Sequence, residues 1–139
     1  AVAVLAPREV PAEPAPTHTE LDHDKPDWSL VRKQIAEAIL VSATPSRQDR
    51  LFPGDIEQFR VGGACFGVGA AGVLHALDVA GVGRFPEHER WLMEAVRREP
   101  PTRPGFYDGS SGLAYVLENF GYHDQAGKLF WRHEKNWVG

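Results

Sequence analysis

Phe66-Gly-Val-Gly-Ala-Ala-Gly-Val-Leu-His-Ala-Leu77 and Phe106-Tyr-Asp-Gly-Ser-Ser-Gly-Leu-Ala-Tyr-Val-Leu117 read alike when the chain is slid 40 residues along itself. Phe66 falls on Phe106, Gly69 on Gly109, Gly72 on Gly112, Leu77 on Leu117 and Gly81 on Gly121. Asp78 falls on Glu118, and Trp91 on Trp131. The unit is Phe-x-x-Gly-small-small-Gly-apolar, a helix ending at a glycine cap, then an amphipathic helix carrying Trp. A Gly-x-x-Gly with Ala or Ser between the glycines opens a helix without side-chain bulk and lets backbones approach closely. A fixed period of this length is the mark of stacked supersecondary units, none of which buries its face alone. The structural glycines are Gly69, Gly72, Gly109 and Gly112. The fold predicted is all-α, with helical hairpin repeats of the α/α type.

Working outward, helices are expected over about 69–80, 87–98, 109–120 and 123–135, with Pro86 in the first turn of the second of these. Gly81 and Gly121 suit helix C-caps. A further helix starts at Asp27, a good N-cap behind the helix-blocking Pro26. In Trp28-Ser-Leu-Val-Arg-Lys-Gln-Ile-Ala-Glu-Ala-Ile-Leu40, the residues Trp28, Val31, Ile35, Ala38 and Ile39 share one face, which is expected to point inward. Residues 46–59 read as a loop. No period-2 run of β-branched residues appears apart from Ala1–Ala6. Residues 1–26 hold Pro7, Pro11, Pro14, Pro16 and Pro26, and their acidic side chains Glu9, Glu13, Glu20, Asp22 and Asp24 outnumber Arg8 and Lys25. Such a segment buries too little apolar surface to offset its ordering entropy and reads as a linker. The division expected is a Pro-rich linker over 1–26 and a repeat domain over 27–139.

Composition narrows the function classes. The chain has 139 residues, 14 Gly, 11 Pro, one Cys and a formal net charge of −4. The mild acidity argues against a nucleic-acid partner. A single Cys excludes an internal disulfide and a cysteine-rich zinc cluster. No apolar run reaches the roughly 20 residues of a membrane span, and no export signal is evident, so a cytoplasmic location without a membrane partner is expected.

Several residues invite chemical readings. Gly67-Val-Gly-Ala-Ala-Gly72 matches the dinucleotide fingerprint by letter, but no strand precedes it and no βαβ unit surrounds it, so packing is the reading preferred. Cys65 reads as a small buried thiol beside glycines rather than a ligand or nucleophile. His75 falls on Tyr115 in the repeat, which points to packing. His18, His23, His88, His123 and His133 are scattered without metal spacing, so no metal ligands are assigned. Tyr107 and Asp108, directly before the second Gly-x-x-Gly, are the candidate catalytic pair at the mouth of any cavity. Asp108 suits proton transfer, or else an N-cap. Arg47 and Arg50 are candidate substrate contacts, or partners of Asp49 and Asp55 in ion pairs that fix the loop.

Gly69-Ala-Ala-Gly-Val-Leu-His-Ala-Leu77 and Pro104-Gly-Phe-Tyr-Asp-Gly-Ser-Ser-Gly-Leu-Ala-Tyr-Val-Leu117 resemble two successive repeats of the LanC-like (lanthionine synthetase C-like) cyclases. The loop Ala43-Thr-Pro-Ser-Arg-Gln-Asp-Arg-Leu-Phe-Pro-Gly-Asp-Ile56 resembles the start of the cyclase region in class III lanthipeptide synthetases, which join a lyase, a kinase-like domain and a LanC-like domain. The likeness covers about residues 28–131. It implies an α/α toroid of about seven hairpins, of which this chain supplies about two, a partial ring. It implies addition of precursor-peptide Cys thiols to dehydrated Ser or Thr, forming thioether rings. It implies a precursor peptide and the remainder of the same synthetase as partners, and ATP or GTP for the kinase domain of the parent. No cofactor is expected in this stretch; zinc ligands of zinc-dependent members belong to later repeats, and class III members lack them.

The chain opens on Ala1 and stops at Gly139 just after an apolar helical pattern. A fragment inactive by itself is therefore expected, with self-association through apolar surface around Phe130, Trp131, Trp137 and Val138. The competing classes are a non-catalytic α/α repeat module that binds a peptide and a piece of another α/α-toroid enzyme. A glycan-processing enzyme needs paired carboxylates, which Asp108 and Glu118 do not supply convincingly.

Overall fold

The computed structural model describes residues 20–134, with side chains described as far as Phe130. Six helices occur among them: α1 (Trp28–Val41), α2 (Gln58–Val61), α3 (Ala70–Val79), α4 (Pro86–Arg98), α5 (Ser110–Asn119) and α6 (His123–Glu134). The fold is all-α. The described residues hold no strand, only a parallel bridge between Arg50 and Gly63. The expectations for residues 1–19 and for Trp137 and Val138 fall outside the described residues.

The repeat is present bond by bond. The first N–H of α3, at Ala70, donates to the Gly63 carbonyl at 2.8 Å; the first of α5, at Ser110, donates to the Arg103 carbonyl at 2.8 Å. At the other ends, Val82 N–H reaches Leu77 O at 3.0 Å, and Tyr122 N–H reaches Leu117 O at 2.8 Å. Gly81 and Gly121 take the left-handed conformation that these caps need, with φ of 71° and 86°. The interior glycines are fixed by contact. A Cβ on Gly72 would overlap the Phe66 carbonyl oxygen, and one on Gly112 the Phe106 carbonyl oxygen. Each helix thus has the preceding loop laid across its first turn.

Two hairpins follow, α3–α4 and α5–α6. Leu74 of α3, Trp91 and Leu92 of α4, Leu113, Val116 and Leu117 of α5, and Leu129 of α6 form one core. Burying each such side chain contributes about 1.5–3 kcal/mol. The loop ahead of the repeats is anchored in the same core by Leu51 and Phe52. Trp91 Nε1 donates to the Arg47 carbonyl at 2.8 Å, and Arg98 Nη2 to the Gln48 carbonyl at 2.8 Å, tying this loop to α4. Part of the stretch read as loop is helical: α2 begins after Asp55, whose carboxylate accepts from the Glu57 N–H at 2.9 Å. The buried Gln58 then bridges the Phe52 and Val68 carbonyls.

α1 starts as expected, with the Asp27 carboxylate accepting from Ser29 and Leu30 N–H, each at 3.1 Å. Its expected inward face is corrected. Trp28 is 70% exposed and Ile35 56%, and Ala38 is exposed; the buried residue is Ala36. Ile39 alone of the expected five packs on the core. The apolar stripe is real, but among the described residues little packs against most of it.

A charged cluster absent from the sequence reading joins the hairpins. Glu89, 2% exposed, accepts from Arg84 Nε at 2.6 Å, Arg84 Nη2 at 2.8 Å and Tyr122 Oη at 2.8 Å. Arg84 also donates to the Phe120 carbonyl at 3.0 Å and stacks on the Phe120 ring at 4.0 Å. The start of α4 is thereby fixed to the turn between α5 and α6. Burial pushes the Glu89 carboxyl up. Hydrogen bonds from Arg84 and Tyr122, the Arg84 charge and the Phe85 N–H outweigh that and hold it below its ordinary range.

Two predictions follow from this packing. Gly112→Ala costs about 1–3 kcal/mol, because backbone must move to admit the Cβ; Gly127→Ala, inside α6 with open space around it, gains about 0.5–1 kcal/mol. Urea melts of the two variants check the opposite signs. Glu89 has a lower pKa folded than unfolded. Its contribution is therefore fully present above the unfolded-chain value of about 4.3 and is lost as pH falls through the folded value. Glu89→Gln should be about 2–3 kcal/mol less stable at pH 7, the low end for a broken buried pair because Arg84 is part-exposed. It should also show a shallower acid slope than the parent in urea midpoints taken from pH 7 to pH 3.

Candidate functional site

α5 buries Leu113, Val116 and Leu117, leaving Ser111, Tyr115 and Glu118 on the opposite face at i, i+4 and i+7. On that side the two repeats form a continuous aromatic row. The Phe66 and Phe106 ring centroids lie 4.8 Å apart, and those of His75 and Tyr115 5.4 Å apart. Phe66 contacts His75 at 5.6 Å, and Phe106 contacts Tyr115 at 5.5 Å. Equivalent positions of successive repeats therefore stack on each other. Tyr107 extends the row at 5.5 Å from Phe106 and is 69% exposed. Its carbonyl accepts from the Gly67 N–H at 2.8 Å, so equivalent positions meet in the backbone too. Such a surface suits an extended chain with apolar or aromatic side chains, with the Tyr hydroxyls and His75 as polar handles. His75 Nδ1 is buried there without a hydrogen-bond partner.

The structure separates Tyr107 from Asp108. Asp108 turns away from the row, and Arg103 Nη1 donates to its carboxylate at 2.9 Å. It lines a polar cleft with Cys65, Arg60 and Glu99. Asp108 does not cap α5: Gly109 holds the N-cap position without a side-chain bond, and the Arg103 carbonyl already takes the first helical N–H. In the loop, Arg47 makes the expected ion pair with Asp49 through contacts of 2.9 and 2.6 Å, and the guanidinium holds the Asp49 carboxyl below its ordinary range. Arg50 does not pair with Asp55. Its guanidinium lies 5.9 Å from the Phe59 ring centroid, and its Nε is buried without a partner.

Cys65 is a buried free thiol, as read. Among the described residues no three His, Cys, Asp or Glu side chains converge on a point that would hold a metal ion. The glycines of 67–72 serve close packing, with Gly69 against the Gly63 carbonyl and the Cys65 backbone. Among the described residues no helix is long and apolar enough to cross a membrane.

No protein-family model and no solved structure matches the chain. A curated protein described as a probable SapB synthase, from Streptomyces coelicolor (strain ATCC BAA-471 / A3(2) / M145), is 53% identical over 103 residues. The chain is homologous to a segment of that synthase. The match takes in 72% of the chain but only 11% of the synthase, so the chain spans a small part of that relative's length.

The aromatic row was legible only in part: the offset of 40 pairs Phe66 with Phe106 and His75 with Tyr115, and side-by-side stacking of repeats then brings them together. Arg84, Glu89 and Tyr122 carried no such signal. For Cys65, burial sets the expectation that a thiol reagent labels it at least about 100-fold more slowly in buffer than in urea, because a buried group reacts only through opening. Comparable rates in the two, followed by absorbance of the released thiolate, would show the thiol to be accessible.

Proposed function

We propose that residues 27–139 are part of the cyclase domain of a class III lanthipeptide synthetase, with residues 1–26 as the tail of the connection that precedes it. The observation that carries this reading is the 53% identity to the probable SapB synthase. The likeness of the two Gly-x-x-Gly repeats and of loop 43–56 to LanC-like cyclases supports it. In this reading α3 and α5 are inner helices and α4 and α6 outer helices of a partial α/α toroid, and the parent is a cytoplasmic enzyme.

The reaction proposed for the parent adds a precursor-peptide Cys thiolate to the β-carbon of a dehydrated Ser or Thr. The S–C bond forms, the double-bond electrons move to the α-carbon, and a proton delivered there completes the thioether. The thiolate is the nucleophile, so the thiol must first lose its proton. The aromatic row would hold the peptide against the inner wall, with Tyr107 its most exposed contact. Asp108 is the candidate proton-transfer group, and its partner Arg103 would have to release it. Arg47 and Arg50 would meet the peptide at the loop. ATP or GTP would serve the kinase domain of the parent, not these residues.

The test uses the full synthetase that contains this segment and a dehydrated precursor, with free thiols counted over time. Thiols should disappear. Unchanged thiols overturn the reading. Asp108→Asn should slow their loss by about 10²–10⁴-fold if Asp108 moves a proton, and leave it nearly unchanged if the carboxylate only holds Arg103. Tyr107→Ala should raise the precursor KM several-fold to about tenfold, the loss of one aromatic contact.

A further inference from the structure

The aromatic row contains one side chain whose chemistry packing does not require. The second repeat carries Tyr115 where the first carries His75, and the two rings meet at 5.4 Å. A phenol ring therefore serves this place in one repeat, and the imidazole in the other brings ring nitrogens that stacking does not use. Nδ1 of His75 is buried without a hydrogen-bond partner, beside Phe66 and Tyr115. Arg50 Nε and Gln58 Oε1 share that condition, but their side chains are anchored otherwise, Arg50 over the Phe59 ring and Gln58 on the Phe52 and Val68 carbonyls. His75 has ring contacts alone. A buried polar atom left unpaired is costly, so its presence asks for a reason in function. The remainder of the ring is not enclosed, since His75 is only half-buried. Other groups near the row are badly placed to move a proton. Asp108 turns away into its pair with Arg103, and Cys65 is buried. Tyr107 and Tyr115 are exposed on the row, but a phenol is a poor base at neutral pH. An imidazole both takes and gives a proton there.

We propose that His75 carries the proton for a peptide held on the aromatic row. The proposal rests on the cyclase reading and adds a catalytic residue to it. His75 Nε2 takes the proton of the precursor Cys thiol. The thiolate sulfur forms the S–C bond at the β-carbon, and the double-bond electrons pass to the α-carbon. The imidazolium then returns its proton to the α-carbon, which leaves the thioether and a neutral imidazole. The proton lost by sulfur is the one gained by carbon, so the step needs no second acid or base. Nδ1, held among the rings, stays out of the exchange and fixes the ring in place. Because one group delivers the proton from one side of the peptide, the new α-carbon receives it on a single face. Asp108 then serves only to hold Arg103.

The test uses the full synthetase that contains this segment and a dehydrated precursor. His75→Tyr installs the residue that the second repeat carries at this place, so ring stacking is kept while the base is lost. Thiol loss at saturating precursor should fall by about 10²–10⁴-fold, with the precursor KM little changed, as for a group that acts in the transition state. Hydrolysis of the product and chiral gas chromatography of its thioether amino acid then read the α-carbon. The parent should give one configuration, and the residual product of the variant a mixture, because water protonates either face. Far-UV circular dichroism checks the fold of the variant, and His75→Gln takes its place if that protein is unfolded. A variant as fast as the parent, one slowed through KM alone, or one whose product keeps the single configuration would each overturn the role of His75 and leave the cyclase reading standing. A parent that leaves its thiols unchanged overturns both.

Discussion

The overlap that a methyl group would create between Gly72 and the Phe66 carbonyl, or between Gly112 and the Phe106 carbonyl, governs the rest of the architecture. Because those glycines have no side chain, the loop ahead of each inner helix folds back across its first turn. That return places Phe66 and Phe106 beside the helix and lets the Gly63 and Arg103 carbonyls take the first helical N–H. A capping side chain is then unnecessary, and the positive end of each helix is met by the chain's own backbone. The same close approach brings the second repeat onto the first, since Gly112 has room for Phe66 where a larger residue would hold it off. Two local choices of glycine thus set the spacing of the hairpins and the alignment of the aromatic row.

Apolar packing supplies most of the stabilisation, and the Arg84–Glu89–Tyr122 cluster supplies specificity of placement. A buried carboxylate is costly to desolvate and is tolerated when its oxygens are fully bonded. Glu89 meets that condition with Arg84, Tyr122 and the Phe85 N–H. Its partners come from both hairpins, so the cluster is satisfied in one register only. Apolar surfaces alone would accept a sliding of α4 past the α5–α6 turn; the cluster does not.

Much of this was legible in the sequence. Helix positions, glycine caps and the period of 40 are local signals: Pro86, Gly81 and Gly121 act within a turn of where they sit. The apolar stripe of α1 was also legible, but periodicity tells which side of a helix is apolar and not whether anything covers it, and Trp28 and Ile35 proved uncovered. Asp108 suited a cap by type and place, yet Gly109 and a distant carbonyl made a side-chain cap superfluous. Glu89 stands between His88 and Arg90 in a polar first turn, indistinguishable from a wet face until Tyr122, thirty-three residues on, is folded against it. Tyr107 and Asp108 adjoin in the chain but serve opposite sides of the loop, a divergence that adjacency alone could not reveal.

The two hairpins are joined at both rims by forces of different kinds. At the N-terminal rim of the inner helices the join is neutral: stacked rings and the Gly67–Tyr107 backbone bond. At the C-terminal rim it is ionic: Arg84 on the Phe120 carbonyl and Glu89 on Tyr122. Solvent therefore acts on the rims separately. Protonation of Glu89 in acid bears on the ionic join, while the Gly67–Tyr107 backbone bond has no charge for acid to remove.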